Sequence, residues 1–350
     1  MPRYEIRAAR RADEDGLLGL ARFLNTVNLP DDRASIGRIL DLSERSFGGQ
    51  IANPVEREYV FLLYDREQQR PIGTSMVIAQ LGRPGEPYIY FNVDQEERYS
   101  ATLHKHFVHQ VLAVRYSYAG PTELGGLVVH PDYRASPERL GSLIAFVRLL
   151  FIAMHREWFQ PELLAELLPP LEPDGKSHLW EAVGRHFTEL SYIEADRLSK
   201  RNKEFIRGLF PVGEIYTTLL PPKAQAVIGA VGEQTRGVEK LLRRIGFRYA
   251  HRVDPFDGGP HFIASTEEVS LVREARAVQI ASADAAQVLD DQALIGRWFS
   301  GPPYFVAVSA RAHWLPEARL LTEPDAAELL ASYGPGTTWA FSLGRPRNKC

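Results

Sequence analysis

Cysteine is all but absent from this sequence: of 350 residues the only one is Cys350, the last. An intrachain disulfide is therefore excluded, thiolate catalysis would rest on one terminal side chain, and the usage suits a reducing compartment. Long hydrophobic runs are missing as well. No stretch reaches the roughly 18 apolar residues of a membrane span, and residues 1–11 (MPRYEIRAARR) lack the apolar centre of a secretory signal. Neither sign of charge dominates, with 41 Lys and Arg against 44 Asp and Glu and a net charge of −3, so nothing electrostatic favours nucleic acid or an anionic membrane surface. The nucleophile elbow, zinc spacing, Walker loop and Rossmann glycine fingerprint are absent too. These absences leave an expected cytoplasmic protein with small-molecule partners and no metal.

Hydrophobic residues make up 45% of the chain, enough for a sizeable core in one or two domains. Residues 4–10 (YEIRAAR) read as a strand, and Asp13 offers a cap to a helix with the stripe Leu17, Leu18, Leu20, Ala21 and Leu24. A second helix is predicted over 31–47 from Ile36, Ile39, Leu40 and Phe47. The runs 59–64 (YVFLLY), 72–79 (IGTSMVIA) and 88–93 (YIYFNV) read as strands. Thr122 to Val129 (TELGGLVV) is a further strand, stopped at His130-Pro131, and an apolar helix is predicted over 140–159. Then come a short strand at 165–168, a helix over 179–187 and a strand near 190–193. Residues 226–231 (AVIGAV), 235–245 and 247–253 repeat the order strand, helix, strand, which predicts a second α/β lobe.

This order is similar to the GNAT-type N-acetyltransferase fold, and the resemblance implies an α/β (α+β) architecture with a mixed, mostly antiparallel sheet flanked by helices. It implies an acyl-CoA-binding domain at 1–200 and a smaller C-terminal lobe at 201–350. More closely, TELGGLVVHPDYR (122–134), RLLFIA (148–153), DGKSHLWEAVGRHF (174–187), FIRGLFPVGEIYTTLL (205–220), AQAVIGAV (224–231) and IGFRYAHRVDPFDGGP (245–260) occur in the order seen in arginine N-succinyltransferases, which the chain resembles over roughly 4–280. The resemblance implies transfer of a succinyl group from succinyl-CoA, the acyl donor, to the α-amino group of arginine in arginine catabolism. Ornithine is a second acceptor to expect, and related chains are expected to assemble as homo- or hetero-oligomers. The alternatives are another amine acceptor and a noncatalytic paralogous subunit.

In the resembled fold a helix N-terminus holds the CoA pyrophosphate with unpaired backbone N–H groups and the positive end of its dipole. Here that place is 134–143, with Val128, Val129, Arg134, Arg139, Leu140, Gly141 and Ser142 as expected contacts. The turn departs from the family's Arg-x-x-Gly-x-Gly by two inserted residues and one lost glycine, with Pro137 removing a donor. Glu123 is the expected general base; its other role would be as a solvated strand-end carboxylate or a partner of a nearby Arg. Asn28 and Leu29 match a loop expected to line the acceptor site, and Asp254 and Asp257 are expected to pair with an arginine guanidinium. Both pairs also suit ordinary turns.

Several further residues are weaker. The family's valine-histidine is Val231-Gly232 here, so a histidine role is missing at that point. His130 reads as a turn residue. His104, His106 and His109 read as a solvated polar segment, since 104 and 106 diverge on a strand or a helix. Trp180 and Leu242 stand where a proton-donating tyrosine is expected, and neither can serve as the acid. Arg148 and Arg185 are the helical cations offered as partners of a succinyl carboxylate, and both suit the surface or core rim equally well.

Overall fold

The computed structural model describes residues 1–23, 29–83, 86–172, 176–199 and 203–344. The chain divides into two compact units that interleave in sequence. One comprises Met1–Ala79, Thr122–Pro161 and Thr266–Cys350, and the other Gln80–Pro121 and Glu162–Ser265. The contacts therefore draw the units differently from a cut at residue 200, because the chain leaves the first unit after residue 79, returns for 122–161, and leaves again.

The first unit is built on an antiparallel sheet in the order Arg276–Ala277, Thr337–Gly344, Asp291–Trp298, Phe305–Leu315, Tyr4–Ala8, Glu58–Asp65, Arg70–Ile78, Thr122–Val129. A branch adds Arg319–Thr322 against Phe305–Leu315, and Gln279–Ser282 runs parallel to it. The helices Glu14–Ala21 and Arg33–Phe47 pack through Leu17, Leu20, Ile36 and Leu40 onto Val60, Leu62, Met76 and Val128. Asp13 does not cap the first of them: its carboxylate is taken by the Arg7 guanidinium at 2.6 and 2.8 Å and by the Arg10 amide at 2.8 Å. The long helix, Leu140–Met154, is apolar all round and buried from Leu143 to Ile152, as befits a helix with protein on every side. It ends earlier than residue 159, giving way to a 3₁₀ turn at Arg156–Trp158.

In the second unit the antiparallel order is Glu162–Glu166, Pro260–Ser265, Arg248–Val253, Tyr88–Ser100, Lys105–Ser117, Ile215–Tyr216. Short helices cover Ile89, Phe91, Leu112 and Val253 with Leu179, Trp180, Ile206 and Val227. Three expectations are corrected here. Residues 226–231 are not a strand; Pro222 opens a helix to Val227, followed by a turn at Gly229 with φ +70°. Near 190–193 the chain starts the helix Tyr192–Ser199, where Ser191 Oγ accepts from the Glu194 amide and Glu194 Oε2 accepts from the Ser191 amide. The predicted helix 179–187 is two short ones, His178–Ala182 and Gly184–Thr188, broken at Val183. Among the described residues no helix is long and apolar enough to cross a membrane.

Candidate active site

The first unit supplies the strand, turn and helix start expected to hold CoA. Strand Thr122–Val129 pairs with Arg70–Ile78, and the register shifts between Thr74 and Met76. The bulge sits at Gly126, φ +57°, where a Cβ would meet Met76 Cγ at 2.7 Å, so only glycine fits. Beyond it Val128 and Val129 are buried, and the Arg134 side chain folds back to donate to the Val129 carbonyl at 3.0 Å. Arg139 takes a left-handed conformation, φ 55°, and its carbonyl accepts from Ser142 at 2.8 Å and Leu143 at 3.2 Å. The amides of Leu140 and Gly141 bond no group among the described residues. A Cβ at Gly141 would touch only Val129 Cγ2, at 4.0 Å. Arg134, Arg139 and Gly141 are exposed, while Leu140 is buried and anchors the turn.

Glu123 lies within the same strand but is buried, 4% exposed, and its charge acts on Arg148. Arg148 is itself 3% exposed, not at the surface or core rim, and donates to the carbonyls of Ala145 and Gly125. Burial pulls its guanidinium down to about 9, an effect that Glu123 opposes. Those are the surroundings of a carboxylate partnered by arginine, the second role offered for it, and the solvated strand end is excluded. Leu29 is 1% exposed in the core cluster of Leu17, Ile36 and Val60, and Asn28 lies outside the described residues.

A carboxylate cluster that sequence reading caught only in part occupies the second unit. Glu166 ends its strand, His261 stands across from it in register, and Asp254 follows strand Arg248–Val253. One ligand atom from each of the three lies within 4.8 Å of the others. Asp254 Oδ1 accepts from the amides of Phe256 at 2.6 Å and Asp257 at 3.3 Å, and Asp257 Oδ1 accepts from Gly259 at 2.7 Å. The turn role therefore uses one oxygen of each aspartate. Burial, with Glu166's charge added, pushes Asp254 up to about 6, and burial beside Asp254 raises Asp257 well above its ordinary value. Burial also raises Glu166, against the pull of Lys203, although a third of its side chain still reaches solvent. His261 is fully buried, held down to about 4 by burial, and takes Tyr88's hydroxyl on Nδ1 at 2.8 Å.

Other expectations fall into place around these. Gly232 lies against the segment after Glu166: its amide donates to the Leu168 carbonyl at 2.8 Å, and a Cβ there would meet the Pro169 carbonyl oxygen at 2.6 Å. Trp180 is fully buried, stacked on Phe256 at 5.0 Å, with its indole N–H on the Leu190 carbonyl, so it is a core residue. His130 accepts from the Asp132 amide in its turn. His104 and His106 are exposed, and His109 is half-buried and bonds Thr218. Arg185 is exposed and pairs with Glu181 at 2.8 Å. A cavity of about 340 Å³ in this unit is lined by Arg236, Lys240, Arg243 and Glu239 together with Tyr249 and Phe262, a mainly cationic wall.

A family model described as arginine N-succinyltransferase beta subunit matches residues 4–271. The chain belongs to the arginine N-succinyltransferase family. It is 30% identical to the arginine N-succinyltransferase of Yersinia pestis (strain Pestoides F), over 99% of each chain, and 31% identical to that of Enterobacter sp. (strain 638), over 80% of this chain and 81% of the relative. The arginine/ornithine succinyltransferase subunit AI from Pseudomonas aeruginosa superposes with a TM-score of 0.82 at 27% identity, covering 97% of this chain and 99% of that one. As a member of this family the chain is an N-acyltransferase, with the mixed, mostly antiparallel GNAT-like architecture that the order of elements implied.

Proposed function

We propose that the protein transfers a succinyl group from succinyl-CoA to the α-amino group of arginine, directly and without a covalent enzyme intermediate. The observation that carries this reading is the cluster of Glu166, Asp254 and Asp257. Three carboxylates that repel one another and resist ionisation gain most from a cationic ligand, which restores their charge and relieves the repulsion. Asp254 and Asp257, each with one oxygen outside its turn bonds, hold the acceptor's positive charge in this reading. The free amides of Leu140 and Gly141, flanked by Arg134 and Arg139, hold the CoA phosphates. The metabolic place that follows is the entry of arginine into catabolism, and the subunit wording of the family description and of the Pseudomonas structure supports assembly from related chains.

The test is a matrix of acyl-CoA donors against arginine, ornithine and other amines, read by loss of thioester absorbance and by product mass. N-succinylarginine as the main product supports the reading, and no turnover of succinyl-CoA with any basic amino acid overturns it. D254N and D257N are expected to raise the KM for arginine about 10- to 100-fold, the loss of one charge-assisted bond. Light scattering of the purified protein reads the assembly.

A further inference from the structure

We infer that Glu166 is the general base that takes the acceptor's ammonium proton, and that His261, bonded through Nδ1 to Tyr88, is the positioning residue beside its carboxylate. This rests on the acyltransfer reading above and adds to it the group that moves the proton.

Burial sets the direction of the Tyr88–His261 bond. Arg252 donates to Glu162 Oε1 at 3.2 Å, and its charge also acts on Tyr88. Tyr88 is buried, 4% exposed, so its proton needs a buried acceptor, and His261 Nδ1 lies 2.8 Å away. With Nδ1 accepting, the imidazole hydrogen sits on Nε2. That nitrogen is buried and lies 3.4 Å from Glu166 Oε1, in ion-pair range but without the geometry of a hydrogen bond. Glu166 is the most exposed carboxylate of the cluster, with Asp254 half-buried and Asp257 buried.

The charged and titratable groups acting on Glu166, Asp254 and His261 set their protonation. Beyond burial, Lys203 opposes the rise of Glu166 and Asp254, Glu166's charge raises Asp254, and His261 is drawn up by Asp254 but held down by Arg252 and Lys203; Asp257 is raised by Asp254, Glu166 and Asp196. His261 is neutral at pH 7 and does not compete for the proton, while the raised affinity of Glu166 for protons brings it nearer the pH at which a base works best. The neighbourhood is the one where the family's histidine is replaced. Gly232 bonds the carbonyl two residues beyond Glu166, and a side chain there would strike Pro169.

In the reaction the acceptor ammonium gives one proton to Glu166. The neutral nitrogen then attacks the thioester carbonyl carbon to form the C–N bond. The tetrahedral intermediate breaks its C–S bond, and the second nitrogen proton leaves with the CoA sulfur as thiol. Glu166 returns its proton to water, so one amide, one thiol and one free proton balance the ammonium and thioester consumed.

The experiment compares wild type, E166Q, E166A, H261Q and H261A in the full chain, with succinyl-CoA binding by calorimetry as the control for folding. For E166Q, kcat is expected to fall about 100-fold or more with succinyl-CoA binding unchanged, and formate is expected to restore part of the rate of E166A. H261Q, which keeps an N–H donor, should retain more activity than H261A, and H261A should displace the acid limb of the kcat/KM profile. Wild-type kcat in E166Q, or loss of activity on chelation with recovery on adding a divalent cation, overturns the inference. An inactive wild type overturns the parent reading instead, so the two failures are distinct.

Discussion

Tyr88 holds its hydroxyl 2.8 Å from Nδ1 of His261, and neither side chain is open to solvent. Phenylalanine at this position keeps the ring and removes one buried bond, leaving Nδ1 without its donor and both imidazole tautomers accessible. Y88F is expected to lose about 1–2 kcal/mol of stability in urea and about 5-fold in kcat, with the KM for succinyl-CoA unchanged. Unchanged kcat with lowered stability would make the bond purely structural.

Gly141 separates a demand of the protein from a demand of the ligand. A Cβ there meets nothing closer than Val129 Cγ2 at 4.0 Å, and the position is exposed in the first turn of its helix. G141A is therefore expected to raise stability by up to about 1 kcal/mol through helix propensity. If phosphate approaches this amide, the added methyl also weakens succinyl-CoA binding, by about 10-fold for a lost charge-assisted bond. Denaturation and calorimetry on the same variant read the two effects, and unchanged affinity would place the CoA phosphates elsewhere.

The parts of the fold that were legible are those where one local signal was unopposed. Thr122–Val129 was read to the residue because an apolar run ends at Pro131, and the long helix was missed only at its end. Residues 226–231 failed because a short apolar run does not distinguish strand from helix, and the decisive signal, Pro221-Pro222 opening a helix, stood outside the window. The Ser191-x-x-Glu194 box was present and unread. In the site, Asp254 and Asp257 were found from their turn chemistry, but Glu166 and His261 look like ordinary strand residues. Only the antiparallel register that sets His261 opposite Glu166 gives them meaning, and that is a tertiary fact.

Gly232 cannot be converted to the family's histidine by simple substitution. A Cβ at that backbone lies 2.6 Å from Pro169 O and 2.9 Å from the Gln234 side chain. G232A and G232H are both expected to destabilise the protein by about 1–3 kcal/mol, the usual penalty of overpacking. Neither should raise kcat. A G232H variant that is stable and faster than wild type would show that the glycine is a loss of function and not a packing requirement.

Glu123 and Arg148 test whether a buried carboxylate in the CoA-binding unit is structural. Removing one partner leaves a buried charge alone, so E123Q is expected to cost about 3 kcal/mol or more, while E123Q/R148M recovers much of that. Urea denaturation of the two single variants and the double gives the coupling. If E123Q instead keeps its stability and loses catalysis with an altered pH profile, Glu123 and not Glu166 moves the proton.

His155 makes acid sensitivity measurable in the first unit. Its ring stacks on Trp158 at 3.9 Å, its Nε2 is buried without a partner, and burial together with the charge of Arg57 holds it down to about 4. A histidine whose folded pKa lies below its unfolded value binds fewer protons in the native state. Its contribution is intact above about pH 6.5 and is lost as the pH falls toward 4. By pH 5 the loss amounts to about 2 kcal/mol. H155F keeps the stacking and removes the titration, so its stability should fall less than wild type between pH 7 and 5. His261 titrates in the same direction, and Asp254 in the opposite one, stabilising the fold as pH falls below about 6. Both are present in wild type and variant alike, so the difference between the two proteins isolates His155, and parallel pH curves would mean that the imidazole is protonated without leaving its place.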